Sequence, residues 1–189
     1  MNQTVLFENK WCSVMERELD NGIKWVYGHH GWCNGEGVAV LPYKAVLTNP
    51  AWNYSELRYL AHMELCPAHD AVEHGMYAVA GGRDHVGEAP VTTAVRELLE
   101  ETGYVAREKD MHFLGTCRPS KGTDTLMYLY AVDVTDMDKV KPVGDGTLNE
   151  EVAYCKWFNA GEVAWYGEPI LATMLSRLNA HTSTLGRPN

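Results

Sequence analysis

The segment Gly82-Arg83-Asp84-His85-Val86-Gly87-Glu88-Ala89-Pro90-Val91-Thr92-Thr93-Ala94-Val95-Arg96-Glu97-Leu98-Leu99-Glu100-Glu101-Thr102-Gly103 organises the reading of the whole chain. From Pro90 onward, Val91, Ala94, Val95, Leu98 and Thr102 recur at helical spacing. Pro90 suits the first helical turn, where a backbone N–H would go unpaired anyway, and Gly103 suits the left-handed position just past the end. The pattern predicts a helix over 90–102, marked at both ends. On it Glu97, Glu100 and Glu101 stand at i, i+3 and i+4, so their carboxylates project to one side, with Glu88 just ahead. Like charges at that spacing destabilise a bare helix by about 0.2–0.5 kcal/mol per pair, so the cluster asks for a compensating cation. Hard oxygen donors at this density suit Mg2+ or Mn2+. Taken alone, the helix also fits a solvated acidic face on which Arg96 forms a surface ion pair.

Outward from the helix, Met76 to Ala80 is an apolar run ending at Gly81-Gly82. Towards the N-terminus, Trp11 to Leu19 and Ile23 to His29 read as strands joined by Asp20-Asn21-Gly22, which is hairpin-turn chemistry. Val38 to Tyr43 and Leu57 to Glu64 read as two further strands, and Cys66 to Gly75 as an irregular loop. Beyond the helix, Met111 to Thr116, Thr125 to Asp133 and Val152 to Phe158 are strand-like. Ile170 to Leu178, opened by Pro169, carries Leu171, Met174, Leu175 and Leu178 along one helical side. Strands flanking each helix imply an α/β/α sandwich with a mixed β-sheet. The expected division is an N-terminal hairpin extension over 1–36, a main domain over 37–180 and a loose tail over 181–189.

The 189 residues, 46% of them hydrophobic and 22% charged, suit one packed domain and not a disordered chain. The net charge of −9 repels phosphate backbones and anionic lipid, which argues against binding to long nucleic acid. Apolar runs such as Leu126 to Val132 fall far short of a membrane helix, and Met1 to Lys10 has no signal-peptide pattern, so a soluble, cytoplasmic protein is expected. Five cysteines without a Cys-x-x-Cys pair suggest reduced thiols. Cys66, His69, His62 and His74 fit no structural zinc spacing.

Gly82, five residues, Glu88, seven residues, then Arg96-Glu97-Leu98-Leu99-Glu100-Glu101-Thr102-Gly103 matches the Nudix box at every fixed position, and the chain resembles a Nudix hydrolase. Tyr104 stands where that family usually has an aliphatic residue. The resemblance implies a strand-loop-helix on which Glu97 and Glu101 are the main metal ligands, Glu100 an additional one, and Gly81 a backbone-carbonyl ligand. It also implies that Arg96 and Glu88 orient the carboxylates.

Pro119, sixteen residues past Gly103 in the loop Arg118 to Asp124, resembles the marker of ADP-ribose and nucleoside-diphosphate-sugar pyrophosphatases. Asn9-Lys10-Trp11 and Gly37 to Pro42 follow the same layout; an ordinary turn proline is the other reading of Pro119. In that subfamily N-terminal strands build a homodimer and their aromatics sandwich the adenine, which here implicates Trp11 and Trp25, either of which could instead be hairpin or dimer packing. A loop glutamate serves there as catalytic base, which points to Glu150 or Glu151 without choosing between them; solvated loop charge is the alternative.

Two stretches depart from the subfamily pattern. Met63-Glu64-Leu65-Cys66-Pro67 replaces a Gln-x-x-Arg-like element, and Ala80-Gly81-Gly82 replaces Pro-Ala-Gly. They leave the terminal group of the substrate open. The implied activity is hydrolysis of ADP-ribose or a related nucleoside diphosphate sugar. NAD-type dinucleotides, signalling nucleotides or capped RNA ends are the alternative substrates, and a noncatalytic nucleotide sensor is the alternative class.

Overall fold

The computed structural model describes residues 2–49, 54–66, 73–83, 85, 87–142 and 153–185. At the N-terminus, β1 (Asn2–Glu8), β2 (Ser13–Glu18) and β3 (Lys24–His29) form an antiparallel sheet in that order. The turn between β2 and β3 is closed by Gly22 N–H to Leu19 O at 2.9 Å, with Gly22 at φ 80°, and Asn21 Oδ1 accepts from Ile23 N–H at 3.1 Å. The hairpin chemistry of Asp20-Asn21-Gly22 therefore operates as expected. The third strand, β1, was not foreseen, and it widens the hairpin into a small sheet. The edge of that sheet is tied to the loop carrying Pro119, through Gly28 N–H to Gly122 O at 2.7 Å.

The main sheet has seven strands: β4 (Glu36–Asn49), β5 (Tyr54–Glu64), β6 (Gly75–Tyr77), β7 (Val79–Gly82), β8 (His112–Cys117), β9 (Leu126–Asp133) and β10 (Tyr154–Phe158). Its long path runs β10-β5-β4-β9-β8, with β6 paired to β5 and β7 to β4. Among the described strands only β4 and β9 pair in parallel, Glu36 with Leu126 through Tyr43 with Asp133, so the sheet is mixed. The start of β4 pairs with β7 and its far end with β5, which brings the end of the box strand against the centre of the sheet.

Strand alternation decides what each face buries. From β4, Val38 and Val40 face the helix α1 (Pro90–Thr102), where they meet Ala94 and Leu98. Ala39 and Leu41 face the opposite side, covered by α2 (Ala160–Tyr166) and α3 (Pro169–Leu185) through Val163, Leu171, Met174, Leu175 and Leu178. This is the expected α/β/α sandwich, with a core on each face. Both β4 and β5 extend beyond their expected limits, α2 was not foreseen, and helical backbone in α3 continues through 181–185, into the stretch read as a tail.

Helix α1 has the expected limits. Gly103 ends it at φ 78°, donating its N–H to Leu99 O. A side-chain carbon there would lie 2.1 Å from Val140 O, so both the torsion and the close approach require glycine. Tyr104 is accommodated edge-on to Trp157, with ring centroids 6.4 Å apart. Leu98 is fully buried, and Leu98→Ala should cost about 2–5 kcal/mol, read as a lower urea midpoint with an unchanged slope. A loss under about 1 kcal/mol would mean that α1 is not anchored through this residue.

Candidate active site

Pro90 opens α1, and just ahead of it Glu88 accepts a hydrogen bond from Thr93 Oγ1 at 2.7 Å. One turn further on, Arg96 lies between carboxylates: Nη1 is 2.9 Å from Glu97 Oε1 and 3.0 Å from Glu100 Oε2, and Nη2 is 3.9 Å from Glu88 Oε2. The expected partnership of Arg96 with Glu88 is therefore longer than its contacts with Glu97 and Glu100. Glu101, on the same side, reaches across to β5, where its Oε2 is 3.2 Å from His62 Nδ1. Burial lowers the His62 pKa below the usual imidazole value, and the nearby Glu64 pulls it the other way. Sequence reasoning had set His62 aside with the rejected zinc cluster. Only its place on β5, the strand that leads to β6 and β7, brings it to the box helix.

Glu97 is buried at 8% exposure and packs onto the backbone of β7; a side-chain carbon on Gly81 would lie 2.1 Å from its Cδ. Gly81 is thus a cradle for this carboxylate, and it brings the peptide group and Glu97 to one place. Among the described residues, no three His, Cys, Asp or Glu groups already converge on a metal-sized point; Arg96 pairs with Glu97 and Glu100, and His62 with Glu101. The donor set nonetheless fits a hard divalent cation, since it consists of carboxylates on one helical turn beside a glycine backbone with no side chain to obstruct it. Of the expected ligand set, Gly81 and Glu97 lie against each other, and Glu100 and Glu101 follow Glu97 on the same turn of α1.

Two residues at the mouth of the box were not singled out by sequence. Trp32 lies over Gly82: a side-chain carbon on that glycine would fall 2.1 Å from the indole Cη2. Arg83 straps the loop, donating to Glu36 on β4 and to Glu88 O, with its guanidinium 5.4 Å from the centre of the Tyr128 ring. Position 83 is free in the box pattern, so the motif carries no signal for it.

A cavity of about 610 Å³ opens between the N-terminal sheet and the Pro119 loop, in the size range of small-molecule sites. Arg17, Trp25, Tyr27, Arg118, Lys121 and Asp124 are among its walls. Arg17 and Trp25 are cross-strand partners, so guanidinium and indole stand side by side on one face. Asp124 is held by His29 Nδ1 at 2.9 Å, and its carbonyl accepts from Arg118 Nη1 at 2.7 Å. Trp25 therefore lines a cavity, and Pro119 sits next to the cavity residue Arg118. Trp11 does neither: it lies exposed before β2, under Lys10 at 4.5 Å, and is not among the cavity walls. Glu150 and Glu151 lie outside the described residues.

A family model for the NUDIX domain matches residues 62–178, more than half of the chain. The chain belongs to the NUDIX family. This Nudix chain retains every acid of the box and is a Nudix pyrophosphohydrolase by class, and the match covers the cradle strand β7, α1, α2 and α3 as far as Leu178. No curated protein sequence matches it. Among solved structures it is similar to an ADP compounds hydrolase, at TM-score 0.69 and 18% identity, covering 100% of this chain and 95% of that one. It is similar to the RenU Nudix hydrolase of M. smegmatis, at TM-score 0.55 and 17% identity, covering 90% and 96%. It is also similar to the NUDIX domain of Shewanella oneidensis NrtR in complex with ADP ribose, at TM-score 0.55 and 12% identity, covering 78% and 87%. At these identities the similarity establishes the shared fold. Among the described residues, no helix is long and apolar enough to cross a membrane.

Proposed function

We propose that this Nudix chain hydrolyses the pyrophosphate bond of ADP-ribose or a related nucleoside diphosphate sugar, releasing a nucleoside monophosphate and a sugar phosphate in a reaction dependent on Mg2+ or Mn2+. The observation that carries the reading is the seating of Glu97 against Gly81, with Glu100 and Glu101 on the same turn of α1. The ADP compounds hydrolase and the ADP-ribose complex among its structural relatives support an ADP moiety.

Gly81 O, Glu97, Glu100 and Glu101 would hold the metal, which when bound neutralises the pyrophosphate and makes water more acidic. Arg96 aligns Glu97 and Glu100, and His62 orients Glu101. Glu88, fixed by Thr93, keeps Arg96 from swinging out of the cluster. Glu150 or Glu151 takes the proton from the attacking water, whose oxygen bonds to phosphorus as the bond to the bridging oxygen breaks. Trp25 supplies an aromatic face for the base, a contact worth about 1–3 kcal/mol. A panel of nucleoside diphosphate compounds, assayed with each metal by phosphatase-coupled phosphate release, tests the substrate. Turnover of ADP-ribose or a nucleoside diphosphate sugar well above nucleoside triphosphates is expected, and preference for nucleoside triphosphates would reject the reading.

A cytoplasmic location is part of the proposal, supported by the net charge of −9 and by reduced thiols at Cys12, Cys66, Cys117 and Cys155. So is a homodimer through the N-terminal strands. Val5, Leu6, Phe7, Trp11, Ile23 and Val26 are at least half exposed there, an apolar surface that one copy leaves uncovered. Tyr27 of β3 is not part of this surface: it is buried, and its hydroxyl accepts from Gln3 Nε2 and Arg17 Nη2. Sedimentation at micromolar concentration should give a dimer, and a fully active monomer would remove this part of the proposal.

A further inference from the structure

The cavity beside Trp25 carries more positive charge than a neutral ribose and base require. Arg17, Arg118 and Lys121 line it, against one acid, Asp124, whose Oδ2 is already taken by His29. In a chain of net charge −9, three cations gathered into one concavity form a local reversal of the field. Their placement is specific. Arg17 is the cross-strand partner of Trp25, and its guanidinium lies 5.3 Å from the centre of the Tyr27 ring while donating to the Tyr27 hydroxyl at 3.2 Å, so it is held beside the stacking face. Arg118 is held from the opposite wall by the Asp124 carbonyl at 2.7 Å. Cations flanking an aromatic surface offer a flat base its stacking partner and an anion attached to the same nucleoside its counter-charge.

We propose that this cavity recognises a phosphate monoester on the ribose of the nucleoside that stacks at Trp25, so that the substrate class is a nucleoside diphosphate derivative carrying an additional ribose phosphate. The proposal rests on the Nudix reading given above and deepens it: the scissile pyrophosphate lies at α1, and the additional phosphate lies at Arg17, Arg118 and Lys121.

Binding of adenosine 2′,5′-bisphosphate, adenosine 3′,5′-bisphosphate and AMP to the full chain, measured by calorimetry without added metal, tests this independently of turnover. One of the bisphosphates should bind about tenfold to a hundredfold more tightly than AMP at low salt, the scale of one or two charge-assisted hydrogen bonds, with the advantage shrinking as salt is raised. Which bisphosphate gains tells a 2′-phosphate from a 3′-phosphate. Lys121→Met and Arg17→Met should each bring the ratio towards one. Because Arg17 also holds Tyr27, Lys121→Met is the cleaner variant, and thermal melting confirms that each is folded. Equal affinity for all three nucleotides, or a ratio unmoved in both folded variants, overturns the proposal. Absence of pyrophosphate hydrolysis with the binding preference intact would instead reject the hydrolase reading and leave the cavity assignment standing.

Discussion

Glu101→Gln should reduce turnover by about a thousandfold or more, because metal-based charge stabilisation is worth several kcal/mol and each 1.36 kcal/mol is about tenfold in rate. Glu97→Gln should do the same to a lesser degree. Neither change should unfold the protein. Glu97 shares Arg96 with Glu100, so removing its charge leaves the arginine with a partner, and relieving repulsion along α1 offsets part of what is lost. Glu101→Gln gives up the charge facing His62, yet an amide oxygen can still accept a hydrogen bond from that ring. Melting curves close to the parent's, alongside lost activity, are the expected result. Retained turnover in the double variant at saturating metal would remove these carboxylates from the chemistry.

The second large effect belongs to the loop acids. If the α1 carboxylates hold metal, the group that accepts the proton from water has to come from elsewhere, and Glu150 or Glu151 can supply it. Replacing the acting residue with Gln should lower kcat by about a hundredfold or more, the usual range of general-base assistance, with little change in KM. Metal affinity should hardly move, unlike in the Glu97 and Glu101 variants. If neither substitution slows turnover more than a few fold, the base lies in the box, and Glu100 is the residue to change next.

The parts of this protein that its sequence made readable are those whose information is local. Helix α1 announces itself by period, by Pro90 and by Gly103, and its carboxylate face follows from helical spacing alone. Strand β1 does not: every residue of Asn2–Glu8 is exposed, so no buried face imprints an alternation on it. Helix α2 is only seven residues long, yet it carried a usable signal, since Asn159 and Glu162 form a reciprocal capping box recognisable as Asn-x-x-Glu. The remaining site features depend on tertiary placement. His62 meets Glu101 because β5 and α1 lie against the same sheet, and Arg17 meets Arg118 across a hundred residues of chain because β3 pairs with the loop at Gly122. Trp32 was readable only as one more tryptophan until β7 brought Gly82 beneath it.

The most direct test of the account is the product analysis of ADP-ribose incubated with the purified chain in Mg2+, with a parallel sample in chelator. The account predicts equimolar AMP and ribose 5-phosphate with the metal and neither product in the chelated sample. Equal rates in the two samples, or no nucleoside monophosphate with Mg2+ or Mn2+, would contradict it.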